Sequence, residues 1–395
     1  MTSAATAYSL ILVISAAASY GLNWAWRGFA TKRGIVKRPG LRDRDIHTNV
    51  VPNASGVAMF GAFLIVMLVA WFLPFFRGVF RDSSEPLGVV LGATIIVGIQ
   101  FIDDLRDLSP PAKLAGVVLG ASVMYMFGLS MFYFRIPFAG FVVLAPDVAP
   151  LMTVLWVAGM TQAINLIDGL DGLAAGVVAI AAAAFTIYAQ RLSDGGLLAP
   201  ENMGPLLAVI ACGLCLGYLP HNVNPAKVFM ADSGAYLLGV LMAASTLVVG
   251  GRIADQFSGQ TYFFYAPIFI PLFILGVPIL DVAFSIVRRS YRRSGVGGAD
   301  AEHIHHRLVR LGHGQRRAVF ILWAWTALLS GFILAPTFVT GDKQVLNRVV
   351  PFAAGALGLA LYTLFHPGIR DKSKANHPAS QAAPPARWQE KTPSK

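Results

Sequence analysis

The sequence predicts an all-α fold: a polytopic transmembrane helical bundle of about eleven spans. Three observations carry this reading. The 395 residues are 56% hydrophobic and only 13% charged, with a mean hydropathy of +0.63, far from the balance of a soluble globular chain. Apolar runs of the roughly 17–25 residues that cross a bilayer recur along the whole length. None of them alternates with period two, which excludes a transmembrane β-barrel.

The spans are centred near residues 5–26, 54–76, 86–102, 113–134, 150–167, 172–190, 203–219, 235–250, 264–287, 318–340 and 348–366. The first contains a small-residue run, Ser15–Ser19, that imitates a cleavage site; it lacks a basic leader, so it reads as an uncleaved helix. The second carries Trp71, Phe72, Phe75 and Phe76 as interfacial anchors. The third closes on Asp103 and Asp104, and the fourth opens after Ser109-Pro110-Pro111. The fifth and sixth flank an Asn-Asp-Gly stretch at 165–172. The seventh encloses Cys212 and Cys215, which read as buried small residues and not as a redox or metal pair. The eighth opens just after Asp232, the ninth ends on Arg288-Arg289, and the last two precede a tail from Pro367 rich in Pro, Ala, Ser and Lys. Residues 1–366 thus form one transmembrane domain, and residues 367–395 a disordered tail.

Topology follows from the basic residues. The connections after the odd-numbered spans, with the tail, hold 24 of the 31 lysines and arginines, and the opposite connections hold 7. That bias puts the N-terminus outside and the C-terminus in the cytoplasm. The net charge of +11 is therefore an orientation signal and not a nucleic-acid footprint.

Four polar clusters interrupt the apolar pattern, and the topology count puts all four on the cytoplasmic side. Asp103 and Asp104 close the third span, where crowded carboxylates raise one another's pKa unless a cation neutralises them. Asp107, one turn on, fits a solvated helix end. Lys113 is either a snorkelling interfacial lysine or a phosphate-binding cation. Asn165, Asp168 and Asp171 recur every three residues, so neighbouring members lie along one helical stripe, with Gly169 and Gly172 admitting close approach. Such oxygen ligands suit Mg²⁺ or Mn²⁺. Asp232 alone is an ordinary helix N-cap; with Asn222 and Asn224 ahead of it, a metal-ligand role is favoured. His303, His305 and His306 lie among arginines, where phosphate contact is favoured over zinc because no structural-zinc spacing is present. His47, His221 and His313 are isolated and read as structural.

In this order, Asp103-Asp104 with Asp107, Asn165-x-x-Asp168-Gly-x-Asp171-Gly-Leu173, Asn-Pro-Ala-Lys-Val-Phe-Met-x-Asp232-Ser-Gly and His303-x-His305-His306 resemble the polyprenyl-phosphate sugar-1-phosphate transferases. The resemblance covers about residues 35–315. It implies an all-helical membrane enzyme with a Mg²⁺-dependent cytoplasmic site in the bacterial inner membrane. Its partners would be a UDP-sugar and a polyprenyl phosphate such as undecaprenyl phosphate, with UMP released; a homodimer is compatible with it. By the same resemblance Asp103 and Asp104 serve the lipid phosphate, Asn165, Asp168 and Asp232 line the metal, and Asp171 lies close by. Asn222, His303, His305 and His306 hold the diphosphate, and Lys113 meets a phosphate. The His-x-His-His form resembles the N-acetylglucosamine-1-phosphate branch, ahead of 6-deoxy-N-acetylhexosamine or muramoyl-pentapeptide transfer. Ala231 departs from the pattern, which has Gly before Asp-Ser-Gly.

A rival from another class is a cation-coupled transporter. It calls for acidic groups near the bilayer midplane and a matching path on the outer face, and the outer connections carry no such cluster.

Overall fold

A computed structural model of the chain describes residues 4–37, 50–131, 133–136, 140–199, 201–250, 314–338, 350–359 and 362. The described residues fold into helices α1 (Ala4–Arg33), α2 (Gly56–Phe72), α3 (Arg77–Arg81), α4 (Glu85–Arg106), α5 (Pro110–Met126), α6 (Ala149–Ile167), α7 (Leu173–Asp194), α8 (Gly204–Asn222), α9 (Ala231–Gly250) and α10 (Gln315–Leu334). A short apolar helix, Val350–Leu359, follows. Two antiparallel ribbons complete the described fold, β1 (Val36–Lys37) with β2 (Val51–Pro52) and β3 (Tyr133–Ile136) with β4 (Gly140–Val143).

Six helices (α1, α4, α6, α7, α8 and α9) are each long and apolar enough to cross a membrane. A seventh span results if α2 is joined to the turn and helix at Pro74–Arg81, across an 86° bend. The protein is a multi-pass membrane protein. The expected ninth span, 264–287, and the tail from 367 lie outside the described residues.

Local sequence sets the helix ends. Proline occupies the first turn of α4, α5, α6 and α8, where its missing N–H leaves no helical hydrogen bond unmade. α7 starts after Gly172, whose φ of +77° is the left-handed conformation that favours glycine. The fourth expected span, 113–134, is corrected: α5 ends at Met126, Gly128 turns the chain at φ +101°, and Tyr133–Ile136 enters the β3–β4 hairpin. Hydropathy hid this boundary because the hairpin residues are as apolar as the helix before them.

α9 is the axis of the bundle: 94% of its spanning window is buried by protein, against 22% for α1. It packs against α2, α4, α6 and α8, while α7 lies between α8 and α10. Small residues permit the tight crossings. A Cβ on Gly56 would meet the backbone of Gly234, so the starts of α2 and α9 touch; one on Gly217 would meet the backbone of Ala16, which draws α1 onto α8. Ser19 adds a hydrogen bond from its hydroxyl to Leu214 O at 2.7 Å. These crossings bring the α4–α5, α6–α7 and α8–α9 connections, the β1–β2 ribbon and the first turn of α10 to one end of the bundle.

Candidate active site

At that end, acidic groups from α4, the α6–α7 turn and α9 face one another. Asp103, on the last turn of α4, is 5% exposed. Its Oδ1 accepts a hydrogen bond from Leu108 N at 2.6 Å, and its Oδ2 pairs with the Lys113 ammonium. The same ammonium lies 3.2 Å from Asp232 Oδ2, so Lys113 bridges α4, α5 and α9. The Pro110-Pro111 start of α5 sets this geometry, because it places Lys113 in the first turn beside the end of α4.

Asp104 turns to α9. Its two carboxylate oxygens accept the backbone N–H groups of Asp232 at 3.0 Å and Ser233 at 3.2 Å. A carboxylate from another helix thus caps two of the amides left unpaired at the N-terminus of α9.

Asp168 caps the C-terminus of α6 and is half-buried. Burial pushes its carboxyl up to about 7; the charges of Asp232, Asp104 and Asp171 act in the same direction, and Lys37 opposes them. Asn165 lies one turn earlier, near the Tyr236 hydroxyl. Asp171 is buried, and its Oδ2 accepts hydrogen bonds from Asn224 Nδ2 at 2.9 Å and Ala226 N at 3.0 Å.

The sequence-predicted residues Asp103, Asp104, Lys113, Asp168, Asp171 and Asp232 are thereby brought together, with Asn165 beside them. Asn222, expected at the diphosphate, is hydrogen-bonded at both ends inside the protein. Its Oδ1 accepts from Gly172 N at 2.8 Å and its Nδ2 donates to Val228 O at 3.0 Å, so both ends of a buried carboxamide are used inside the protein. It ties the α6–α7 turn to the α8–α9 connection. His303, His305 and His306 lie outside the described residues.

Three participants, Lys37, Gln315 and Arg316, were not singled out by sequence, whereas Asn224 was read there together with Asp232. Lys37 entered only as a topology signal, yet its charge acts on Asp168 and its ammonium lies 5.8 Å from the centre of the Phe229 ring. Asn224, Gln315 and Arg316 join Asp171 to α10. A signal for Asn224 was present in the Asn222-x-Asn224-Pro spacing; none marked Gln315 or Arg316.

Among the described residues, no three His, Cys, Asp or Glu side chains stand as a preformed metal-ligand set. The donor chemistry nevertheless fits a divalent cation. Hard carboxylate oxygens of Asp103, Asp104, Asp168 and Asp232 outnumber the Lys113 and Lys37 cations near them, and an ammonium already occupies the position between Asp103 and Asp232.

The described residues form a multi-pass helical bundle with carboxylates and a lysine gathered at one end of its spans. Residues 86–250 match glycosyl transferase family 4. Decaprenyl-phosphate N-acetylglucosaminephosphotransferase of Mycobacterium tuberculosis is 34% identical over 330 residues, spanning 82% of this chain and 80% of that protein. A Bacillus subtilis protein named "Probable undecaprenyl-phosphate N-acetylglucosaminyl 1-phosphate transferase" is 34% identical over 307 residues, 78% of this chain and 77% of that one. Phospho-N-acetylmuramoyl-pentapeptide-transferase of Staphylococcus aureus is 27% identical over 298 residues, 71% and 83% of the two chains. The chain belongs to glycosyl transferase family 4, among the polyprenyl-phosphate N-acetylhexosamine-1-phosphate transferases.

Proposed function

We propose that the protein transfers N-acetylglucosamine-1-phosphate from UDP-N-acetylglucosamine to a polyprenyl phosphate and releases UMP, the priming step of a cell-envelope polysaccharide. One observation carries the reading: Asp103, Asp104, Asp168, Asp171, Asp232 and Lys113 converge at one end of the bundle, where a membrane-held phosphate meets a water-soluble nucleotide. The printed names of the relatives supply the acceptor and the sugar. The muramoyl-pentapeptide relative is less similar, which places that donor second.

An oxygen of the lipid phosphate forms a bond to the sugar-bearing phosphorus, and the bond from that phosphorus to the uridine phosphate oxygen breaks. Two negatively charged reactants must be brought together, so positioning and charge neutralisation supply most of the catalysis. Asp103 and Asp104 orient the lipid phosphate, one of them taking its proton. Lys113, between α4 and α9, meets a phosphate oxygen. Asp232, Asp168 and Asn165 would hold Mg²⁺, or Mn²⁺ in its place, which when bound would supply neutralisation of the diphosphate and of the leaving UMP. Asp171 supports the donor site, and His303, His305 and His306 contact the diphosphate. One direct displacement accounts for these residues without a covalent intermediate.

In this reading residues 1–366 are one catalytic domain of about eleven spans, the N-terminus lies outside, and the site faces the cytoplasm across the inner membrane. Lys32, Arg33, Lys37, Arg106, Lys227, Arg316 and Arg317 at the site end of the bundle support that orientation.

The test is UMP release by purified protein given UDP-N-acetylglucosamine, undecaprenyl or decaprenyl phosphate and Mg²⁺. Release that needs both lipid and metal, and is lost in Asp232→Ala, is the expected outcome. Lipid-independent release, or none with any UDP-sugar, overturns the reading.

A further inference from the structure

We infer that Arg316 is a phosphate-binding residue of the nucleotide-sugar site, held in place by Asn224. The inference rests on the transferase reading above, and adds to it a cation from α10 together with the residue that aims it.

Arg316 lies in the first turn of α10, and its Nε donates to Asn224 O at 3.0 Å and to Asn224 Oδ1 at 3.3 Å. Anchoring through Nε fixes the plane of the guanidinium. Both Nη groups, the paired donors that match two oxygens of a phosphate, have no partner among the described residues. The side chain is exposed, so those donors are open to a ligand from solution.

The anchor is itself rigid. Asn224 Nδ2 donates to Asp171 Oδ2 at 2.9 Å and to Gln315 Oε1 at 2.9 Å, and Asp171 Oδ2 also accepts from Ala226 N at 3.0 Å. Two residues earlier, Asn222 joins Gly172 N to Val228 O. Further along α10, Trp323 packs where a Cβ on Gly176 would sit, and its indole N–H donates to Leu173 O at 3.4 Å. The start of α10 is therefore held against the Asp168–Asp171 turn at both ends of that contact.

Charge gives the arrangement its direction. A guanidinium held next to Asp171 by a neighbouring asparagine, and not by the carboxylate, keeps its positive charge available. An arginine that served only to dock α10 would satisfy its fork inside the protein. A nucleoside diphosphate drawn to the acidic, cation-loaded cluster would extend past this fork.

The experiment measures UDP and uridine binding to the full-length protein in detergent with Mg²⁺, by calorimetry, for wild type, Arg316→Ala, Arg316→Lys, Asn224→Ala and the double variant. Loss of a charge-assisted phosphate contact weakens UDP binding about tenfold or more in Arg316→Ala. Uridine binding should not change. Arg316→Lys should recover part of the loss, and Asn224→Ala should add little once Arg316 is gone. In turnover, the KM for the UDP-sugar should rise while that for polyprenyl phosphate holds. Arg317→Ala, an exposed neighbour, is the control for helix integrity. Equal UDP affinity in wild type and Arg316→Ala overturns the inference and leaves the transferase reading intact. An equal loss of uridine binding reduces Arg316 to a structural role. Failure of wild type to bind UDP at all sinks both.

Discussion

The Lys113 ammonium lies 3.2 Å from Asp232 Oδ2 while also pairing with Asp103, so one cation joins the end of α4 to the start of α9. Asp103 is almost fully buried, and removing its partner leaves a carboxylate with little solvent to stabilise it. Lys113→Met should lower stability by about 2 kcal/mol, a value kept modest because Lys113 is partly exposed. Thermal unfolding in detergent reads this directly. Mg²⁺ should raise the melting temperature more in the variant than in wild type, because a second cation then takes over a role the ammonium had filled. Equal shifts in both proteins would separate Lys113 from the cation site.

Asp104 carries two duties that substitution can divide. Its carboxylate caps the Asp232 and Ser233 amides, and in the proposed reaction it faces the lipid phosphate. Asparagine also caps helices well, whereas alanine costs about 1 kcal/mol at such a position. Asp104→Asn keeps one acceptor and turns a donor toward the other amide, so it should lose part of the capping stability together with UMP release, while Asp104→Ala loses the whole cap. Amide hydrogen exchange should accelerate at one of Asp232 and Ser233 in the asparagine variant and at both in the alanine variant.

The Asp168 carboxyl, pushed up to about 7 in the absence of a metal, gives a pH dependence with a definite sign. A carboxyl must lose its proton to bind a cation, so binding releases a proton and strengthens as pH rises. Mn²⁺ affinity followed by electron paramagnetic resonance should climb from pH 6 towards about 7 and level off above it. Asp168→Asn should bind more weakly and remove part of that slope, the rest coming from Asp232, which must also lose its proton to bind. A flat profile in wild type would take Asp168 out of the cation site.

How much of this was legible in the sequence depends on the kind of signal. Asp103, Asp104, Asp168, Asp171 and Asp232 stand out because a carboxylate in an apolar chain is costly and therefore conspicuous. The six span-long helices among the described residues follow from uninterrupted apolar runs. Gln315 and Arg316 were invisible for the opposite reason: in a basic, polar connection one more arginine carries no contrast, and only its hydrogen bonds to Asn224 distinguish it. The two internal hydrogen bonds of Asn222 were not legible, because sequence gives the presence of a carboxamide but not the direction of its two ends. The β3–β4 hairpin was absorbed into a span because hydropathy alone does not separate an apolar strand from an apolar helix.

Ala231 gives the last prediction. It begins α9 at φ +56°, a conformation in which Cβ crowds the following carbonyl and which costs a non-glycine residue roughly 1 kcal/mol. The amides of the next two residues are those that Asp104 caps, so the strained position sets how α9 presents Asp232. Ala231→Gly removes the Cβ penalty at the expense of a more flexible unfolded chain, and the two terms partly cancel. The variant should be more stable by at most about 0.5 kcal/mol, read as a slightly higher melting temperature. Its activity should remain within about twofold of wild type, because Gly reaches the same backbone geometry without strain. Larger residues test the converse: Ala231→Val adds a β-branch at a left-handed position and should destabilise the start of α9, with Asp232 and Lys113 losing their register together.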